Sequence, residues 1–191
     1  MAAPRILAIA GSVKKTSFNR KALEIAVAGA RKAGAEVTVL DLKEYPLPIM
    51  DEDLEKEGTP PNVLKLKEIF KAHQALLIAS PEYNSSITPL LKNTIDWVSR
   101  PAPGESPLQC FAGKTAVLLA ASPGALGGLR GLVHVRSILG NIGVILLPDQ
   151  TAIPKAFEAF DDKGQLKDPK QQASVEALGE KLAKFTVKQN A

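Results

Sequence analysis

Three short stretches of this chain combine hydroxyls with lysine, proline or glycine, and each follows an apolar run. The first, GSVKKTSFNR, offers Ser12, Thr16 and Ser17 as hydroxyl donors and Lys14 and Lys15 as positive charge, just ahead of a helical pattern beginning near Phe18 or Asn19. Backbone amides ahead of a helix are unpaired donors in a positive field, so this stretch has the chemistry of a phosphate cradle. It is not a Walker loop, because G-x-x-x-x-G-K-[ST] is absent, and the GKT at Gly113 to Thr115 enters a strand. An ordinary helix cap by Ser17 is the competing reading. The second stretch, SPEYNSS, holds Pro81, Glu82, Tyr83 and Asn84. Proline stiffens it, Asn84 and the serines suit tight turns, and its N–H and C=O groups could meet the edge of a planar heterocycle with Tyr83 against the ring. A stiff strand-to-helix turn would read the same way. The third, ASPGALGGLRG, ends a strand at Ser122 and places Gly124, Gly127 and Gly128 where backbone can come close to a ligand, or where a turn simply needs freedom.

The elements that must position these stretches follow from periodicity. RILAIAG is a continuous apolar strand whose lack of alternation implies burial on both faces. Leu23, Ala26, Val27 and Ala30 mark a helix from Asn19 to Arg31, ended by Gly34. AEVTVLDL is a second strand, followed by a Pro-rich acidic connection and helical spacing through Val63, Leu66, Ile69 and Phe70. QALLIAS is strand three, TPLLKNTIDWVSR a helix, KTAVLLAAS strand four, PGALGGLRGLVHVRSILGNIG a Gly-rich turn and another helix, VILLP a short strand five, and Pro169 to Lys188 a final helix. This βαβαβαβαβα order predicts one α/β domain over residues 1–191. Its expected form is a flavodoxin-like three-layer sandwich, a five-stranded parallel sheet of order 2-1-3-4-5 with helices on both faces. A Rossmann-like fold competes, but the first turn lacks G-x-G-x-x-G. Ligands bind beyond the carboxyl ends of such strands, at the switch point between strands one and three. The three loaded stretches all fall there, which describes a mononucleotide site, and FMN is the occupant this fold suits best.

The totals are compatible. The 191 residues are 45% hydrophobic, enough for a full core, and no apolar run reaches the ~20 residues of a membrane helix. The N-terminal apolar run stops at Gly11 and reads as a strand, not a signal peptide. A single cysteine, Cys110, forbids an internal disulfide and suits a reducing cytoplasm. The net charge of +4 is spread without a Lys/Arg block, so neither nucleic acid nor a membrane is expected as a partner.

The motifs AGSVKKTSFNRKAL, YPLPIMDEDLE, SPEYNSSITPLLKNTIDWVSRP and SPGALGGLRGLVHVRSILGNIGV resemble those of the NADPH-dependent FMN reductases, near their chromate and quinone reductase branch. The resemblance runs from the first strand to about Pro148. It implies that Ser12, Lys14, Ser17, Phe18 and Asn19 surround the FMN phosphate and ribityl chain. Pro81, Glu82, Tyr83 and Asn84 would hold the isoalloxazine, with Ser122, Gly124, Gly127 and Gly128 at its other edge. It further implies ping-pong hydride transfer from NADPH or NADH, without a protein acid or base, to quinones, flavins, azo compounds or oxidised metal anions such as chromate. A flavodoxin-type electron carrier without direct NAD(P)H oxidation is the alternative, and a flavin-free hydrolase on the same fold a weaker one. Two positions depart from the family: Lys14 replaces a common Arg, and Ser85 a common Gly, which adds strain if that position needs positive φ.

The family also implies a homodimer or homotetramer. Trp97 and Asp96 lie off the Leu91–Ile95–Val98 face and offer an interface, unless Trp97 packs within its own subunit. Cys110 is expected to be inert, and His73 to meet solvent or a helix dipole. His134, between Arg130 and Arg136, is expected on a solvated helix face or against an anion, and Asp51 to Asp53 on solvated surface.

Overall fold

The computed structural model describes residues 2–189. In chain order the strands are β1 (Arg5–Ala10), β2 (Glu36–Leu40), β3 (Ala75–Ala79), β4 (Glu82–Tyr83), β5 (Ser86–Ile87), β6 (Thr115–Ala121) and β7 (Ile145–Ile153). The α-helices are α1 (Phe18–Lys32), α2 (Glu52–Glu57), α3 (Pro61–Lys71), α4 (Pro89–Ser99), α5 (Leu129–Asn141), α6 (Ala156–Ala159) and α7 (Pro169–Gln189). Five strands form a parallel sheet of order β2-β1-β3-β6-β7, which is 2-1-3-4-5 once the separate β4–β5 hairpin is set aside. This is the flavodoxin-like arrangement expected from the sequence.

The unbroken apolar strands follow from burial on both faces. In β1, Ile6, Ala8 and Ala10 enter one core with α1 and α7, while Leu7 and Ile9 enter the other with α3, α4 and α5. On the first face the helices touch backbone to backbone. A Cβ on Gly29 would lie 1.9 Å from the Glu176 carbonyl oxygen, and one on Gly179 would lie 1.8 Å from that of Ala26. Only glycine permits that crossing of α1 and α7.

Three features depart from the sequence reading. The last strand does not stop at Pro148 but runs on to Ile153, because its register with β6 shifts from Ala116–Leu146 to Leu118–Gln150. Proline lacks the N–H a ladder needs, and an edge strand with an irregularity is where a sheet tolerates one. The stretch SPEYNSS is a hairpin and not a plain turn. The acidic connection folds into a 3-10 turn and α2, whose N-cap Asp51 accepts from the Asp53 amide; the acidic run is exposed, as expected.

Trp97 is not available as an interface. It is 1% exposed, and its Nε1 donates to the Pro48 carbonyl at 2.9 Å, so it packs within its own subunit. Asp96 pairs with Lys92. His73 is likewise not at a solvent-facing helix end. It is buried, bonded through Nδ1 to the Ile69 carbonyl and through Nε2 to Thr38 Oγ1, and burial lowers its pKa. Cys110 is buried, and that burial pushes its thiol pKa up, away from the reactive thiolate.

Candidate functional site

β1, β3 and β6 are adjacent, so their carboxyl-end loops converge. A crevice of about 350 Å³ opens between the first two, walled by Gly11, Ser12, Val13 and Lys14 on one side and by Tyr83, Thr88, Pro89 and Leu90 on the other. This is the size range of small-molecule sites, at the switch point of the sheet. Thr88 ties the walls together: its hydroxyl donates to the Gly11 carbonyl at 2.9 Å and accepts from the Leu91 amide, capping α4. Sequence reasoning did not single out Thr88, although Thr-Pro at a helix start is a legible capping signal.

The first loop decides between a cap and a cradle. Ser17 is the N-cap of α1 in extended conformation, yet its side chain makes no capping bond. The hydroxyl is therefore not spent on the helix, and the first-turn amides keep their capacity for an external acceptor. Ser12 Oγ accepts from the Lys14 amide, which curls the loop. Lys14 is exposed at the crevice. Asn19 is committed elsewhere: its Nδ2 donates to the Ala121 carbonyl at 2.8 Å and its Oδ1 accepts from the Ala121 amide at 3.0 Å. It is a clamp between α1 and the end of β6, with only its backbone left for a ligand. Phe18 stacks on Phe160 at 5.7 Å and meets Phe157 edge-on at 5.0 Å, so its side chain anchors the helix start to α6.

The second loop is a tight hairpin. Tyr83 pairs with Ser86, and the two residues between them, Asn84 and Ser85, have φ of 51° and 65°. Two consecutive positive φ values are what a two-residue hairpin turn of the right twist demands. Asn tolerates this and Ser does so poorly, so the strain anticipated for Ser85 is present. Pro81 is buried and leads out of β3, while Tyr83 is 57% exposed at the crevice. Glu82 turns away from the crevice: its Oε2 accepts from the Gly131 amide at 2.8 Å, capping the first turn of α5 from outside. Ser86 Oγ shares a hydrogen bond with His134 Nδ1 at 2.8 Å, so His134 braces the hairpin and is not simply solvated.

The third loop is shaped by its neighbours. A Cβ on Gly127 would fall 2.6 Å from the carbonyl carbon of Ile153, and one on Gly128 would fall 2.7 Å from Ala120 Cβ; both have positive φ. These glycines are required by the fold itself. Gly124 is different, since a Cβ there would meet only Ser122 Oγ, at 3.7 Å. Ser122 Oγ accepts from the Gly124 amide at 3.3 Å, and the Gly124 carbonyl accepts from Lys155 and Gly127.

The structure thus gathers the thirteen expected residues around one end of the sheet, with the side chains of Asn19, Phe18 and Glu82 serving as braces. Comparison with known proteins identifies the family. A family model for NADPH-dependent FMN reductases matches residues 4–158. An NAD(P)H-dependent FMN reductase of Pseudomonas aeruginosa is 40% identical over 167 residues, covering 87% of this chain and 86% of that protein. An NADPH:quinone oxidoreductase of Arabidopsis thaliana is 31% identical over 190 residues, covering 96% and 92%. Among solved structures, the flavoenzyme NAD(P)H:(acceptor) oxidoreductase FerB of Paracoccus denitrificans superposes with a TM-score of 0.82 at 26% identity, covering 97% of this chain and 98% of that one. The uncapped helix start, the crevice at the switch point and a family match spanning the whole sheet converge, and the chain belongs to the NADPH-dependent FMN reductase family.

Proposed function

We propose that the chain is an FMN-dependent NAD(P)H oxidoreductase that reduces a quinone. The observation that carries this reading is the start of α1, just past the loop that walls the crevice, where Ser17 leaves its hydroxyl and the first-turn amides uncommitted. Those donors fit a phosphate monoester: Ser12, Lys14 and Ser17 would hold it with the Phe18 and Asn19 amides. The backbone of Pro81 to Asn84 would face the edge of the flavin ring, with the Ser122–Gly124 backbone and the turn at Gly127 and Gly128 opposite. FMN held there would supply the capacity to pass a hydride from NAD(P)H to the second substrate. The chain's own work is to orient the ring, keep one face of the crevice open to successive substrates, and supply main-chain donors where negative charge develops. Quinone is the acceptor named for the Arabidopsis relative.

The visible spectrum of the purified protein, before and after anaerobic NADPH, tests the reading. Flavin bands that bleach are expected. Bands that persist with NADPH and NADH would favour an electron carrier, and absence of flavin after incubation with FMN would overturn the cofactor assignment. With a quinone, initial rates should show the parallel lines of a ping-pong scheme.

We place self-association, as homodimer or homotetramer, at the apolar surface around the hairpin and not at Trp97. Tyr83, Leu126, Leu129 and Val133 are all exposed there, and the hairpin is pinned to α5 through Glu82. Light scattering of the wild type against Val133→Glu checks this, the variant being expected to dissociate.

A further inference from the structure

A second cavity, of about 440 Å³, lies on the other side of the first loop, towards the end of β2. Successive residues divide the two spaces, Lys14 lining the crevice and Lys15 the cavity. Arg20, Lys21 and Lys163 add positive charge, and Ser17, whose hydroxyl is assigned above to the flavin phosphate, stands at its edge. Arg20 is paired with Asp41 at 2.5 Å, but among the described residues no carboxylate pairs with Lys15, Lys21 or Lys163. The turn carrying Lys163 sits against Lys21, since a Cβ on Gly164 would lie 3.5 Å from Lys21 Cγ. Lys21 Nζ in turn lies 5.7 Å from the Phe18 ring, and Phe157, in contact with that ring, is 74% exposed.

The lining is mixed: two carboxylates, Glu24 and Asp162, stand among the cations. A bare inorganic anion has no use for them. A nucleoside phosphate does, because ammonium groups suit the phosphate, a carboxylate suits a sugar hydroxyl or base amine, and an exposed aromatic face suits the base. We propose that this cavity takes the adenosine 2′-phosphate end of NADPH, with Lys21 and Lys163 as specificity-determining residues. The proposal rests on the NAD(P)H reading above and deepens it, because a co-substrate reaching over the first loop would meet both spaces.

The test compares the holoenzyme with a Lys21→Ala/Lys163→Ala variant. Adenosine 2′,5′-bisphosphate and 5′-AMP are titrated calorimetrically, and KM is measured for NADPH and NADH alongside flavin content. The wild type is expected to bind the bisphosphate about tenfold more tightly than 5′-AMP, and the variant to lose that margin, as for loss of hydrogen bonds to a charged group. KM for NADPH should rise by about the same factor, with KM for NADH and flavin content unchanged. Equal bisphosphate binding by both proteins, or equal rises in both KM values, overturns the proposal. Loss of FMN from the variant also overturns it, by assigning the cavity to the flavin phosphate. If the wild type oxidises neither nucleotide, the reductase reading fails, and the calorimetric comparison still decides the cavity.

Discussion

Asn93 and Trp97, one turn apart on α4, donate to the same acceptor: the Pro48 carbonyl receives Asn93 Nδ2 at 2.8 Å and Trp97 Nε1 at 2.9 Å. Asn93 Oδ1 also accepts from the Met50 amide at 2.8 Å. The Lys-Asn-x-Ile-Asp-Trp segment therefore serves as a strap for the Pro-rich connection. Asn93→Ala removes two hydrogen bonds and is expected to destabilise the protein by about 2 kcal/mol. Chemical denaturation reads this directly, and an unchanged midpoint would mean that the strap contributes nothing.

Ser85→Gly should stabilise the protein by about 1 kcal/mol, because it relieves a left-handed conformation that a Cβ resists. For a chain of this length that is a rise of about 2–4 °C in Tm. The weak contact from Arg130 to Ser85 Oγ, at 3.4 Å, offers little to offset it.

Glu82 is expected to act as a brace. Glu82→Gln keeps an acceptor for the Gly131 amide, whereas Glu82→Ala leaves that amide unpaired and frees the hairpin from α5. The Ala variant should weaken FMN binding about tenfold, and the Gln variant by less than about threefold. Fluorescence titration of the apoprotein distinguishes them; an Ala variant that binds like wild type would show that the hairpin holds its shape unaided.

The extent to which this was legible depends on the range of the forces involved. The strands, both helical layers and the three loops could be read because unbroken apolar runs, helical spacing and turn signals are local, and the strand order followed from their βα succession. The strap at Pro48, the Glu82–Gly131 bond and the Asn19–Ala121 clamp join residues 49, 49 and 102 positions apart, and nothing nearby in the chain announces such pairs. Trp97 shows the cost of that limit. Helical spacing placed it off the apolar face, but the face it occupies is covered by a distant segment.

A pH-dependent contribution to stability is expected from Glu105. Burial alone would raise its carboxyl pKa, but Lys67 at 2.7 Å, Lys71 at 2.9 Å and the Ala102 amide hold it at about 2. A carboxyl held below its unfolded value near 4.5 stabilises the fold above that pH and stops doing so as pH falls towards about 2. Urea midpoints measured across this window should fall, and Glu105→Gln should flatten part of the slope while lowering stability at neutral pH, because Lys67 is nearly buried.

The crossing of α1 and α7 makes a sharp pair of outcomes. Gly29→Ala forces a methyl into the Glu176 carbonyl and is expected to abolish folding or to destabilise by more than about 4 kcal/mol. Gly140→Ala, within α5 and no closer than 4.0 Å to Leu146, should instead stabilise by about 0.5–1 kcal/mol. Circular dichroism melts of the two variants separate close packing from helix propensity.

That crossing also divides what is recognisable from what is indispensable. The family match ends at residue 158, and no residue expected to hold FMN lies beyond it, yet α7 begins at Pro169. Val175, Leu178, Leu182 and Ala183 of α7 share the core with α1 and the central strands. A protein engineer trimming the chain to its matched portion would strip α7 from that side of the sheet and lose the shape of the three candidate-site loops with it, although every residue forming them had been kept.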